Sequence, residues 1–521
     1  MRFPARCWRD PAYVGGEETK IRGVLAFVFV FVMVSTSFAI GLSVVMNASG
    51  TSVKSQMKVV YLSGSATEQG VQYGHQAGDL IRENIAHFRS EVASEGLPFD
   101  VLVSEALMLE KAQSKQMIEG LKAMAAVTGV NYDDLLAMNM FDSSVGTQDA
   151  CTIFIAAGSG TTDGQVIASK NRDASKPNVL LVVEPGEDTH GFVAVGGAGE
   201  WGISFGLNDI GLCEGNNWMP VPAYDPTGIG EMQLNRLVLE KCSSVDGAID
   251  YVSSVPKHGG STVMVADNEK GAFIETVSSI YTPDTVAYEV TDGASVHTNH
   301  YLYEPFHSWA LSGSFGYFWG PSVARYDRGC ELLSQNEGKL SADMLMTFAR
   351  DLENFGNSKP KEIRAAHPEI PAKCWSWGWP GNSICNAATV SSGVFELDPE
   401  YPSLLSVMWT SIYNPAWCPY VPVHNALIQT AAMAIDGFAP YVDGTMWSLA
   451  EKVRNCGKNE WGDFVPTFES WEGPWMSQTS ANEADAAAMI GAGQVDQACS
   501  YLAQKDIGIG NQAYTLMLSL K

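Results

Sequence analysis

The residues best suited to covalent chemistry lie close together. Cys151 opens the apolar run CTIFIAA, and a second run, QVIASKNRD, ends about twenty residues later in Lys170-Asn171-Arg172-Asp173. Thr162-Asp163-Gly164 between them is a hairpin-type turn signal, so the two runs read as paired strands. A cysteine that becomes the first residue of a chain owns both a thiol and an α-amine. The amine, with a pKa of roughly 8, takes the thiol proton and acts as the nucleophile's own base. A carboxylate such as Asp173 fixes the amine, and a cation such as Lys170 or Arg172 favours the thiolate.

The elements around this pair change character along the chain. From Ser65 to about Met140 the apolar residues recur near a 3.6-residue period, as in TEQGVQYGHQAGDLIRENIAHFRSEVAS and SEALMLEKAQSKQMIEGLKAMAAVTGV, which predicts two or three amphipathic helices. A last short helix follows in NYDDLLAMNM, with Asn131 or Asp133 as its cap. After Cys151 the runs turn β-branched or alternating: VLLVVEP, GFVAVGG, GISFGLN, STVMVAD, AFIETV and ASVHTNH. Helical patterns return at EMQLNRLVLEKCSSVDGAIDYVSS and SVARYDRGCELLSQNE. Strands grouped rather than alternating with helices point to a mixed α+β class, not a doubly wound sheet. Gly197-Ala198-Gly199-Glu200-Trp201-Gly202 spells a dinucleotide fingerprint but lies between strand-like runs with no helix opening from it, so it reads as a turn.

Composition sets the limits. The chain has 521 residues, 46% of them hydrophobic and 17% charged, which is globular and long enough for one large domain with additions. Its formal charge of −26 excludes nucleic acid as a partner, because phosphate recognition needs a basic surface. Residues 1–22 form a basic tail. Residues 23–46 are 24 positions without a charge, read as a transmembrane anchor or a signal peptide, with Ser37 and Ala39 as small residues before a cleavage point. Either reading places residues 47 onward outside the cytoplasm, secreted or membrane-anchored. There cysteines can pair. Nine follow Cys7, an odd number; setting Cys151 aside for chemistry leaves eight for up to four disulfides.

The ordered motifs resemble a known superfamily. Cys-Thr at a strand start, a T-x-D-G turn, a K/R-N-x-D strand end, then GLNDIGLCEGNN and HTNH are similar to the cysteine N-terminal nucleophile (Ntn) hydrolases. GSATEQGVQYGHQAGDLIRENI and LKAMAAVTGVNYDDLLAMN resemble the pro-segment of the acyl-coenzyme A:6-aminopenicillanate acyltransferase group, peptidase family C45. Choloylglycine hydrolases share the core spacing, and SLLSVMWTSIYNPAWCPYVPV is similar to the C69 dipeptidases. The resemblance spans about residues 64–425. It implies an αββα four-layer sandwich at residues 151–521, a helical pro-segment at 64–150 and a linker at 47–63. It also implies release of Cys151 by cleavage of the Ala150–Cys151 bond. Asp173 would hold the new amine, and Lys170 stands where choloylglycine enzymes have Arg, keeping the charge without the bidentate fork. Arg172 is the other candidate cation. Asn217, or its neighbour Asn216, and Asn299 would face the oxyanion, and Arg325 would support nucleophile or substrate.

The expected activity is therefore hydrolysis or acyl transfer at a linear amide, on an N-acyl amide or peptide, with no cofactor. A C69-like dipeptidase and a non-catalytic surface-anchored binding protein are the alternatives. His297 and His300 do not suggest a metal, since residues three apart on a strand-like run point to opposite faces and no ligand cluster lies beside them. Trp375, Trp377 and Trp379 beside Cys374 read as a disulfide-pinned loop or the lining of a pocket. No P-loop, HExxH or GxSxG occurs.

Overall fold

The computed structural model describes residues 58–141, 151–174, 178–312, 318–353, 360–376, 383–430, 449–450, 452–454 and 462–520. The charge-free stretch 23–46, Ala150, Trp377 and Trp379 therefore lie outside the described residues. Among the described residues no helix is long and apolar enough to cross a membrane.

Strand β1 (Lys58–Leu62) leads into four helices, α1 (Ala66–Ser94), α2 (Phe99–Leu109), α3 (Lys115–Thr128) and α4 (Tyr132–Phe141). Helix α1 begins where Ser65 and Glu68 form a reciprocal capping box that satisfies two of its first N–H groups. Of the two cap candidates for α4, Asn131 does the work: its carboxamide oxygen accepts the Asp133 N–H at 2.8 Å.

The strands that follow are β2 (Cys151–Ala157), β3 (Val166–Asp173), β4 (Asn178–Val183), β5 (Phe192–Gly197), β6 (Phe205–Asn208) and β7 (Cys213–Met219). Helices α5 (Glu231–Lys241) and α6 (Val245–Ser254) come next, then β8 (Gly260–Ala266), β9 (Gly271–Thr276), β10 (Thr285–Val290) and β11 (Gly293–His297). Helix α7 (Phe306–Ser312), strand β12 (Phe318–Trp319), and helices α8 (Gly320–Gln335), α9 (Ala342–Ala349) and α10 (Pro360–Ala366) precede β13 (Trp375–Ser376) and β14 (Thr389–Leu397). After α11 (Pro402–Leu405), β15 (Val407–Ser411) and β16 (Val421–His424), the chain ends in two long helices, α12 (Val465–Gly491) and α13 (Val495–Leu518).

An eight-stranded sheet has the order β1-β4-β5-β6-β7-β8-β9-β10, and a six-stranded sheet the order β11-β2-β3-β14-β15-β16. Only β1 is parallel to its neighbour, β4; the other pairs within these two sheets are antiparallel. The sequence of β4, NVLLVV, shows how the layers form. Leu180 and Val182 enter the core between the sheets, whereas Val179, Leu181 and Val183 enter the core shared with α1, α3 and α4. On β8, Met264 and Ala266 face the six-stranded sheet, and Val263 and Val265 face α5 and α6. Strands buried on both faces read as unbroken apolar runs, which is how they stand in the sequence. Helices α8, α9 and α13 pack on the six-stranded sheet, against β11, β3 and β14, and β16 respectively. The class is α+β.

The segment before Cys151 is built into this molecule: β1 extends the eight-stranded sheet, and Leu80, Ile81, Leu121 and Met138 share one core with β4 and β5. The GxGxxG segment is the turn between β5 and β6, with Gly199 at φ +87°, a conformation L side chains rarely adopt.

The expected disulfides do not form among the described residues. No disulfide joins any of the eight described cysteines, Cys151, Cys213, Cys242, Cys330, Cys374, Cys385, Cys418 and Cys499. All but Cys330 are buried, and Cys213, Cys385 and Cys418 sit as small apolar side chains in the core between the sheets. Burial pushes the Cys242 and Cys418 thiols up to about 12, against ready ionisation.

Candidate active site

Cys151 is the first residue of β2 and pairs across the ladder with Arg172 of β3. Its backbone N–H donates to Asn299 Oδ1 at 2.9 Å, and its carbonyl accepts from Arg325 Nη1. Arg325, on the second turn of α8, also donates through Nη1 to Thr152 Oγ1 and through Nη2 to Asn299 Oδ1, both at 2.9 Å. Asn299 follows β11, and its Nδ2 donates to Trp218 O at 2.8 Å. Those partners fix the amide orientation, since a backbone N–H and a guanidinium can only donate and a backbone carbonyl can only accept. Two elements distant in sequence, the chain just after β11 and helix α8, thus converge on the backbone of one residue.

Asp173, at the end of β3, is fully buried. Its carboxylate accepts from Thr389 Oγ1 at 2.6 Å and from Asn386 Nδ2 at 2.8 Å. Burial raises its pKa from 3.8 to about 6, against the opposing pull of Arg325, those two hydrogen bonds and Lys170. Arg325 is equally buried; desolvation weakens its hold on its proton, and the fields of Asp173 and Cys151 strengthen it. Asp173, Arg325 and Cys151 therefore form one electrostatic unit, although the hydrogen bonds of the Asp173 carboxylate run to Thr389 and Asn386 and not to the Cys151 nitrogen.

The other four residues singled out by the sequence take different positions. Lys170 Nζ, between the two sheets, donates to Asn216 O and to Asn217 Oδ1 at 3.3 Å. Asn217 Nδ2 donates to His297 O at 3.2 Å and Thr298 O at 2.9 Å. Both of its N–H bonds are spent, so Asn217 ties β7 to the chain just before Asn299 and has none left for an oxyanion. Asn216 instead lines the small pocket at Cys151 together with Arg172, Ser204, Trp218, Glu231 and Met232. Successive residues of a strand point to opposite faces, which separates these two neighbours. Asn299 keeps one Nδ2–H with no hydrogen-bond partner among the described residues. Arg172 turns to Asn178 Oδ1, 2.8 Å, and to Glu200 Oε2, 3.5 Å. It shares its ladder position with Cys151 but spends its charge on Glu200.

The pocket at Cys151 continues into a wider cleft through Trp218, Glu231 and Met232, which line both. The cleft adds Met138, Asn139 and Met140 of α4 on one side and Tyr224, His258 and Gly259 on the other. The helical segment before Cys151 thus supplies part of the wall.

Several contributors carried no sequence signal. Asn386 and Thr389 reach Asp173 from more than 200 residues away. Ser322 Oγ accepts the Asn299 N–H at 2.7 Å. Glu214 is fully buried, with both carboxylate oxygens lacking a hydrogen-bond partner among the described residues; burial pushes its pKa well up and nearby Lys170 opposes that. The two histidines are structural: His297 Nε2 lies 2.8 Å from Glu275 Oε1, and His300 Nδ1 lies 2.8 Å from Ser322 Oγ. Among the described residues no three His, Cys, Asp or Glu side chains are grouped to hold a metal.

Residues 161–368, about two-fifths of the chain, match the family model of acyl-coenzyme A:6-aminopenicillanic acid acyl-transferase. That span contains Lys170, Arg172, Asp173, Asn217, Asn299 and Arg325 and begins after Cys151. Among solved structures, penicillin V acylase from Agrobacterium tumefaciens is 14% identical, with a TM-score of 0.31 over 53% of this chain and 86% of its own. The N-acylethanolamine-hydrolyzing acid amidase ortholog of Caenorhabditis elegans is 16% identical, with a TM-score of 0.29 over 49% of this chain and 94% of its own. A mutant conjugated bile acid hydrolase from Clostridium perfringens is 11% identical, with a TM-score of 0.33 over 53% and 92%.

Proposed function

We propose that this chain, related through residues 161–368 to the acyl-coenzyme A:6-aminopenicillanic acid acyl-transferase family of cysteine Ntn hydrolases, is a hydrolase or acyltransferase acting on C–N amide bonds. Its nucleophile is Cys151, released as a new N-terminus by cleavage of the Ala150–Cys151 bond. The helix–sheet–sheet–helix packing supports the αββα sandwich that goes with this reading. An extracytoplasmic place of action rests on the charge-free stretch 23–46 alone.

The observation that carries the proposal is the grip on the Cys151 backbone. In the uncleaved chain Asn299 Oδ1 holds the N–H of the very peptide bond to be broken. After cleavage the same oxygen faces an α-amine, and Arg325 keeps the residue in place through its carbonyl. The α-amine accepts the thiol proton, and the thiolate adds to the substrate carbonyl carbon. The developing oxyanion takes up the remaining Asn299 Nδ2–H, an interaction of a kind worth a few kcal/mol, about 10²–10³ in rate. The ammonium returns its proton to the amide nitrogen as the C–N bond breaks, leaving a thioester on Sγ. Water or a second amine adds to that thioester, and the thiol is regenerated. Charge on the electrostatic unit stays balanced, because buried Asp173 and Arg325 oppose each other throughout.

The direct test is the intact mass of the purified protein, with N-terminal sequencing. The expected result is two pieces divided between residues 150 and 151, which separate only on denaturation because β1 and α1–α4 share a core with β4 and β5. Cys151→Ala should remain one chain and lack activity toward a panel of N-acyl amides and dipeptides. A variant that is still cut at this bond, or a wild-type chain that turns over amides uncut, refutes the proposal.

A further inference from the structure

Asn299 sits in a loop, residues 298–303, that crosses from β11 toward α7 and must hold its carboxamide against the Cys151 nitrogen. Two buried side chains outside the expected site grip that loop. Glu275, on β9 of the eight-stranded sheet and fully buried, takes both ends: Oε1 accepts the Leu302 N–H at 2.6 Å and lies 2.8 Å from His297 Nε2, and Oε2 accepts the Tyr303 N–H at 3.2 Å. The other ring nitrogen of His297, Nδ1, lies 2.8 Å from Thr298 O, one of the two carbonyls to which Asn217 Nδ2 donates. Ser322, at the start of α8, takes the middle: its Oγ accepts the Asn299 N–H at 2.7 Å and lies 2.9 Å from Thr298 Oγ1 and 2.8 Å from His300 Nδ1.

We infer that Glu275 and Ser322 are positioning residues for the acyl-transfer site, acting through Asn299. One carboxylate closes the loop across its base, and one hydroxyl, on the same helix as Arg325, sets the height of its tip. Glu275 stands on one sheet and His297 on the other, so the clamp also fixes the sheets relative to each other beneath Cys151. Every oxygen involved is an acceptor already in use, and a buried N–H that lost its acceptor would pull the loop toward another partner. A shift of about 1 Å at a reacting group costs about 100-fold in rate, whereas no residue of this loop lines the cleft of Trp218, Tyr224 and Met232.

The inference rests on the function proposed above, and its test separates the two. The full-length wild type, Glu275→Gln and Ser322→Ala are produced, and three quantities are followed: the rate of division at residues 150/151 by intact mass, kcat and KM on a chromogenic N-acyl p-nitroanilide, and the thermal midpoint. Gln keeps the size of Glu but presents an NH₂ to one of three donors; Ser322→Ala removes only a hydroxyl and stays foldable if Glu275→Gln does not. The expected result for both variants is a fall of about 100-fold in cleavage rate and in kcat per folded molecule, with KM within about threefold of wild type. Wild-type rates in a folded variant, or a loss confined to the thermal midpoint, overturn the inference while leaving the function standing. A wild-type chain that neither divides nor hydrolyses the amide overturns both.

Discussion

Replacing Asp173 with Asn should change how stability depends on pH, and the size of the change follows from the structure. The comparison is made in a Cys151→Ala background so that both proteins remain single chains. Asp173 is fully buried and its pKa is raised from 3.8 to about 6 by that burial. The folded state therefore binds this proton more tightly than the unfolded chain, so the contribution favours folding at low pH and fades as pH rises from 3.8 through 6. At 1.36 kcal/mol per pKa unit the full span is about 3 kcal/mol, and about 2–3 kcal/mol of it falls between pH 4 and pH 7. Asn mimics the protonated carboxyl at every pH. It can point Oδ1 at Asn386 Nδ2 and Nδ2 at Thr389 Oγ1, the two groups that hold Asp173. Any fixed cost of that exchange cancels when the two proteins are compared across pH. Urea unfolding followed by tryptophan fluorescence from pH 4 to pH 8 is the assay. Relative to its parent, Asp173→Asn should gain about 2–3 kcal/mol between pH 4 and pH 7. Parallel curves, or a relative gain toward low pH, would refute the assignment of a buried carboxylate held against its desolvation at this position.

Two further outcomes concern the frame around the site. An ideal Cβ on Gly120 of α3 would stand 2.1 Å from the Trp201 ring, so Gly120→Ala should cost about 1–3 kcal/mol by pushing α3 from the eight-stranded sheet, read as a lower urea midpoint. Arg350 and Glu472 form a buried pair with two 2.6 Å hydrogen bonds that tie α12 to the end of α9. Arg350→Met should destabilise by about 3–5 kcal/mol by stranding the Glu472 carboxylate, and Arg350→Met with Glu472→Leu should recover most of that loss in the same unfolding assay.

Much of this molecule can be read from residue order. The period of the apolar residues before Met140 yields α1 to α4, and the runs after Cys151 yield β2 to β6, β8, β9 and β11, but not β7 or β10. Cys151 at a strand start, with Lys170 to Asp173 at the end of the next strand, is a local pattern because a tight hairpin fixes which residues face each other. The disulfides expected from an extracytoplasmic location did not follow among the described residues, since neither location nor a cysteine count says anything of burial, and Cys213, Cys385 and Cys418 are small core residues in the structure. Choosing between Asn216 and Asn217 was equally out of reach. Their difference is which face of β7 each takes, and that depends on β11 and the loop after it lying opposite.

By itself the sequence determined the nucleophile candidate, the hairpin that carries it and the alternation that buries both faces of the sheets, because these depend on neighbours along the chain. Only the tertiary structure decided what surrounds Cys151. Asn299 and Arg325 lie 148 and 174 residues from it, and Asn386 and Thr389 lie 213 and 216 residues from Asp173. Such partners meet through the packing of two sheets and a helix, a long-range consequence of burial that no spacing of residues encodes.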